Sequence, residues 1–140
     1  IDEIVLDNIK LNSQSGTGSL INFGASATIR DVILSNSFFK TTGNGIIKVV
    51  SDSIDLKISN TEFNGMSIGL ELKGLGQSIT LDNVDFVNVT HPIQTNSATA
   101  TSTLYANSYK WNGTVDNIVR HLISGATLTI ASSAADIRER

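Results

Sequence analysis

The chain has 140 residues, 40% of them hydrophobic and 16% charged, with a net charge of −3 and no cysteine. One domain fits that length, and the missing cysteines exclude disulfides and thiolate metal sites. The scattered Lys and Arg give no electrostatic footprint for nucleic acid, and no apolar run approaches the roughly 20 residues of a membrane helix.

The first predicted element is a short strand within I-V-L-D-N-I-K-L from Ile4. Its apolar residues alternate with a period of two rather than 3.6. The same apolar-x-apolar-x-Asn-x-x-aromatic string returns as V-I-L-S-N-S-F-F from Val32, L-K-I-S-N-T-E-F from Leu56 and I-T-L-D-N-V-D-F from Ile79. It returns in weaker form as L-Y-A-N-S-Y-K-W from Leu104 and L-T-I-A-S-S-A-A from Leu128. The anchors Asn8, Asn36, Asn60, Asn83, Ser108 and Ser132 stand 28, 24, 23, 25 and 24 residues apart. Such a period indicates a solenoid, in which each repeat buries its apolar face by stacking on its neighbours.

Within each repeat, alternation sends every second side chain inward. Ile4 and Leu6, Val32 and Leu34, Leu56 and Ile58, Ile79 and Leu81, Leu104 and Ala106, and Leu128 and Ile130 form this inward set. Glu3, Asp31, Asp55, Ser78, Thr103 and Thr127 are predicted to point outward. The anchor Asn is expected to lie buried at a bend. There Asn36, Asn60 and Asn83 would form an internal amide ladder and pair with turn backbone. A second inward column follows at Leu11, Phe39, Phe63, Phe86, Trp111 and Ala135, and a third at Ile46, Leu70, Ile93 and Ile118. Between them lie turn signals such as T-T-G-N-G and N-G-T-V-D-N.

Three inward columns imply an all-β, right-handed parallel β-helix of about six coils with three short strands per coil. The solenoid domain is read as residues 1–132, with 133–140 as a C-terminal cap or linker. The chain opens at Ile1 with the strand pattern starting at Ile4. That reads as a removed leader or, preferably, a segment of a longer protein.

The recurring L-x-N-x-x-F strings and N-G turns resemble the right-handed β-helix repeats of the pectin-lyase-like superfamily, most closely phage tailspike and tail-fibre segments. The resemblance covers Ile4 to about Ser132 and implies fold rather than activity, because that scaffold carries lyases, hydrolases, tailspikes and adhesins. A pectin hydrolase of this kind would carry N-T-D, D-D, G-H-G and R-I-K motifs. The nearest strings here are Asn60-Thr61-Glu62, Thr90-His91-Pro92 and Ile46-Ile47-Lys48, with no Asp pair. All depart at the residues that would do the chemistry. A lyase of the family would need a Ca²⁺-holding carboxylate cluster with an Arg base beside it, and only Arg30 and Arg120 fall inside coils.

Two carboxylate groupings remain. Glu62 and Asp85 face outward on neighbouring coils and are the candidate catalytic pair. Glu3, Asp31 and Asp55 stack in the same way and are candidate Ca²⁺ ligands. Stacked strands hold such groups about 5 Å apart, close to the carboxyl separation in retaining glycosidases. A solvated surface compensated by Lys57 and Lys10 ranks ahead of cation binding, and cation binding ahead of acid–base catalysis. No resident cofactor is expected. His91 and His121 read as surface or turn residues, since neither has ligands at metal spacing.

Val5, Ile9, Ile33 and Phe38 are predicted to form an outward apolar patch, which marks an interface. The function that fits best is a structural, receptor-binding module of a phage tail or tailspike-like virion protein. It would be extracellular, assembled as a homotrimer or with adjoining domains, and in contact with cell-surface polysaccharide. The alternatives are a fragment of an extracellular polysaccharide lyase or glycoside hydrolase, and a segment of a bacterial adhesin or autotransporter passenger.

Overall fold

The computed structural model describes residues 2–12, 21–24, 28–42, 47–50, 52–112, 119–121 and 125–130. They are all-β, without a helix, and every strand pairing is parallel. The strands are β1 (Glu3–Asp7), β2 (Lys10–Asn12), β3 (Ile21–Phe23), β4 (Asp31–Ser35), β5 (Phe38–Lys40), β6 (Ile47–Val49) and β7 (Asp55–Asn64). There follow β8 (Ile68–Leu72), β9 (Gln77–Val87), β10 (His91–Thr95), β11 (Thr101–Ala106), β12 (Tyr109–Asn112), β13 (Val119–His121) and β14 (Thr127–Ile130).

One sheet stacks them in the order β1-β4-β7-β9-β11-β14, with β2, β5 and β12 continuing its coils past a bend. The second runs β13-β10-β8-β6-β3. The result is a parallel β-solenoid of about four turns, against the about six coils expected. The longest stack holds six strands, but β14 has no continuation among the described residues.

The bend is made by asparagine. Asn8, Asn36, Asn60 and Asn83 have φ of 54°, 49°, 47° and 54°, the left-handed region that Asn tolerates better than other side-chain-bearing residues. One left-handed residue breaks the alternation, so the Asn side chain swings outward and the next residue turns inward. This corrects the expected internal ladder. The amides do stack, Asn83 Nδ2 donating to Asn60 Oδ1 at 2.9 Å and Asn60 Nδ2 to Asn36 Oδ1 at 3.3 Å, but all three residues are exposed. The backbone pairing assigned to them falls to the inward hydroxyls beside them. Ser37 Oγ accepts from the Ile9 amide at 3.0 Å, and Thr61 Oγ1 from the Ser37 amide at 3.4 Å. Each also donates to a carbonyl, Ser35 O at 2.6 Å and Ser59 O at 2.8 Å. In β7 and β9 the strand runs straight through the bend; elsewhere it is two strands, which gives three per coil.

The core is the predicted set of columns. Val32, Leu34, Leu56, Ile79, Leu81 and Leu104 are each 0% exposed. Leu11, Phe39, Phe63, Phe86 and Trp111 fall in register. The three phenylalanine rings stack at centroid distances of 5.5 and 5.3 Å, adding roughly 0.5–1.5 kcal/mol per pair beyond burial. The third column keeps Leu70 opposite Ile93 as expected, and only its two outer members are displaced by one residue. Leu70 pairs with Ile47 and Ile93 with Val119, whereas Ile46 and Ile118 lie outside the described residues. A second correction concerns the last strand. Leu104 pairs with Ile130 and Ser102 with Leu128, two residues from the predicted register. A slip of two keeps every side chain on its own face, so the apolar pattern could not detect it. Ser132, Ala135 and the segment 133–140 lie outside the described residues.

Candidate functional site

On the outer wall of the first sheet, alternate residues of stacked strands line up as columns. One column runs Glu3, Asp31, Asp55, Ser78, Thr103 and Thr129, with Thr129 in the place predicted for Thr127. Its first half is acidic and its second half carries hydroxyls. Lys57 Nζ lies 3.8 Å from Asp31 Oδ1 and 3.3 Å from Asp55 Oδ2, so one ammonium serves both carboxylates and offsets their repulsion. Among the described residues, no group of three or more His, Cys, Asp or Glu side chains is arranged to hold a metal ion. The next column runs Val5, Ile33, Lys57, Thr80 and Tyr105.

Where hydroxyls replace acids, the wall forms a solvent-open groove of about 220 Å³. Gly76, Gln77, Ser78, Thr101, Ser102, Thr103, Tyr105, Thr127 and Thr129 line it. β9, β11 and β14 supply all of these but Gly76, which immediately precedes β9, and parallel pairing spaces the strands about 4.8 Å apart. Gly76 begins the groove in the left-handed region, φ 61°, where a glycine fits without strain. Its amide donates to Thr101 Oγ1 at 2.7 Å. The floor is braced from inside, with buried Ser102 Oγ donating to Gln77 Oε1 at 3.4 Å and Gln77 Nε2 to Val49 O at 3.0 Å. The outward hydroxyls of Ser78, Thr103 and Thr129 can each donate and accept hydrogen bonds. Tyr105 presents its ring beside them at 40% exposure. The periodicity identified Ser78 and Thr103 as outward; it missed the groove, whose one visible signal is the outward T-x-T of Thr101 and Thr103 repeated at Thr127 and Thr129.

The candidate catalytic pair sits on a different wall segment, past the bend. There Lys10, Phe38, Glu62, Asp85 and Lys110 share a column. Glu62 and Asp85 are register partners, half-buried, and Glu62 Oε1 accepts from Asn64 Nδ2 at 2.8 Å. Of the apolar patch, Val5 is 56% exposed, while Ile33 and Phe38 are half-buried on the outer wall. Ile9 does not join them. It follows the left-handed Asn8, so its side chain turns inward and packs against the core. His91 is half-buried at the start of β10.

The exposed amide ladder ends on a carboxylate. Asn36 Nδ2 donates to Asp7 Oδ1 at 2.8 Å, and Ser35 Oγ donates to the same oxygen at 2.7 Å. These two bonds, Ser35 first, hold the Asp7 carboxyl below its ordinary range.

No protein-family model matches the chain, and neither a curated protein nor a solved structure matches it.

Proposed function

We propose that this chain is a rigid binding module of a tail or tailspike-like virion protein, related to the pectin-lyase-like β-helices, that holds a surface glycan on its side wall. The observation that carries this reading is the open groove lined by nine uncharged residues, Tyr105 among them. Serine and threonine hydroxyls both donate and accept hydrogen bonds, as sugar hydroxyls do. The tyrosine ring offers an apolar face to the C–H face of a pyranose and a hydroxyl at its tip. A stacked parallel wall holds these groups without paying ordering entropy at the moment of binding. Copies of the chain or adjoining domains would pack on the patch at Val5, Ile33 and Phe38, in an extracellular homotrimer.

A second reading, an extracellular polysaccharide lyase or hydrolase, is favoured by the adjacent Glu62 and Asp85. One experiment separates them: a printed glycan array, followed by reducing-end detection on every glycan retained. Retention without release of new ends supports a binding module. Release that disappears in the E62Q/D85N double variant would make this an enzyme, and an array without any retained glycan would overturn both readings.

A further inference from the structure

Resting on the glycan-holding reading, we infer that the groove across β9, β11 and β14 takes neutral sugar chains and rejects uronic acids. None of the nine lining residues carries a charge, so among the described residues that line it no ammonium or guanidinium waits for a carboxylate. Recognition of a carboxylate depends on such a donor, the Arg fork above all. The surroundings are acidic instead. Asp55 is the register partner of Ser78 on the strand before the groove. Asp82, exposed, follows Thr80 by two residues on β9, and Asp52 Oδ1 accepts from the Leu75 amide at 2.8 Å just before Gly76. Lys57, on the strand next to Thr80, is paired with both Asp31 and Asp55, so that cluster is net negative. A uronate entering would face like charge and lose its water without a compensating partner.

The same geometry fixes how a neutral chain lies. Ser78, Thr103 and Thr129 form one rail that climbs the solenoid by one strand spacing per step, about 4.8 Å. Tyr105 stands in the neighbouring column, and Thr80, its register partner on β9, is small. A sugar ring placed over Ser78 and Thr103 meets the hydroxyl rail beneath it and the Tyr105 ring at its flank. A volume of about 220 Å³ lies below the roughly 300–1,000 Å³ of pockets that enclose a whole ligand. The groove therefore grips one or two rings of a chain that runs along the solenoid axis.

The test titrates the full chain with neutral hexose tetrasaccharides and with uronic-acid tetrasaccharides of the same linkages, at low and at physiological salt, by calorimetry. The expected result is binding of at least one neutral chain, weakened tenfold or more by Tyr105→Ala and several-fold by Thr103→Val. Uronates should bind at least tenfold more weakly at low salt, with the gap narrowing as salt rises. Asp55→Asn, which removes one negative charge beside Ser78 and the nearer of the two carboxylates on Lys57, should tighten uronate binding several-fold. Circular dichroism checks that each variant stays folded. Equal or tighter uronate binding in the wild type would overturn this inference and leave the glycan-binding reading standing. Neutral binding untouched by both Tyr105→Ala and Thr103→Val would place the site elsewhere and also overturn it. Binding of neither class would overturn the underlying reading as well.

Discussion

The first coil and the middle coils are built from one pattern and end in different states. Leu6 and Leu11 occupy the positions of Ile58 and Phe63. Yet both are only partly buried, against 1% and 0% exposure for their counterparts. Ile4 is likewise half-exposed, while Leu56 and Ile79 in its column are 0% exposed. Alternation along a strand decides which side chains turn inward; a neighbour on each side decides whether they leave water. β7 lies between β4 and β9, and β1 pairs with β4 alone among the described strands. At roughly 25 cal/mol per Å² of apolar surface, the same residue type stabilises a middle coil more than an end coil.

That difference predicts the largest effect. Phe63 is buried between Phe39 and Phe86, so Phe63→Ala should cost about 3–5 kcal/mol, the range for a truncated core phenylalanine. Leu11→Ala in the first coil should cost only about 1 kcal/mol, because its site is already open to solvent. Urea denaturation midpoints of the two variants measure this directly. Similar losses would mean that the first coil is as well packed as the middle.

The fold was legible because the inward residues at Leu34, Leu56, Ile79 and Phe86 repeat with strand alternation and a common spacing. Four things were not legible. The outward turn of Asn36, Asn60 and Asn83 depends on a single backbone angle, and the residue type alone is compatible with either a buried ladder or an exposed one. That same angle reversed Ile9, which alternation counted across the bend places outside. The register of β14 was two residues off because a slip of two leaves strand alternation unchanged, so the apolar pattern of the sequence fits either pairing. The groove was hidden for a different reason. Its rail joins Ser78, Thr103 and Thr129 from three coils, and no local string of the sequence contains all three.

A smaller contrast can be drawn along the ladder. Asn60 and Asn8 share the left-handed backbone, φ 47° and 54°. Only Asn60 both donates to and accepts from neighbouring amides. Replacing either with Leu incurs the left-handed penalty of roughly 1–2 kcal/mol. Asn60→Leu loses two hydrogen bonds in addition, worth about 0.5–1.5 kcal/mol each in net terms and toward the low end on an exposed wall. Asn60→Gly removes the bonds without the backbone strain and should fall between wild type and Asn60→Leu. Thermal melts of Asn8→Leu, Asn60→Leu and Asn60→Gly separate the two contributions. Equal losses for the two leucine variants would show that the ladder contributes nothing.

The smallest effect concerns how the first coil ends that ladder. Asp7 stands in register with Ser35 and receives two donors on one oxygen, from Ser35 and Asn36. Its charge strengthens both bonds, and its pKa falls below the ordinary value of 3.8. A carboxyl depressed in the folded state binds its proton more weakly there than in the unfolded chain. The stability it contributes is therefore present above 3.8 and disappears as pH falls through the depressed folded value. Asp7→Asn keeps the shape and an acceptor oxygen but removes the charge. Wild type should melt slightly above Asp7→Asn at neutral pH, and the gap should close in acid well below 3.8. Because Asp7 is exposed, added salt should shrink the gap as well. A gap unchanged from neutral pH down to that acid limit would show that the carboxylate charge is not what anchors the ladder to the first coil.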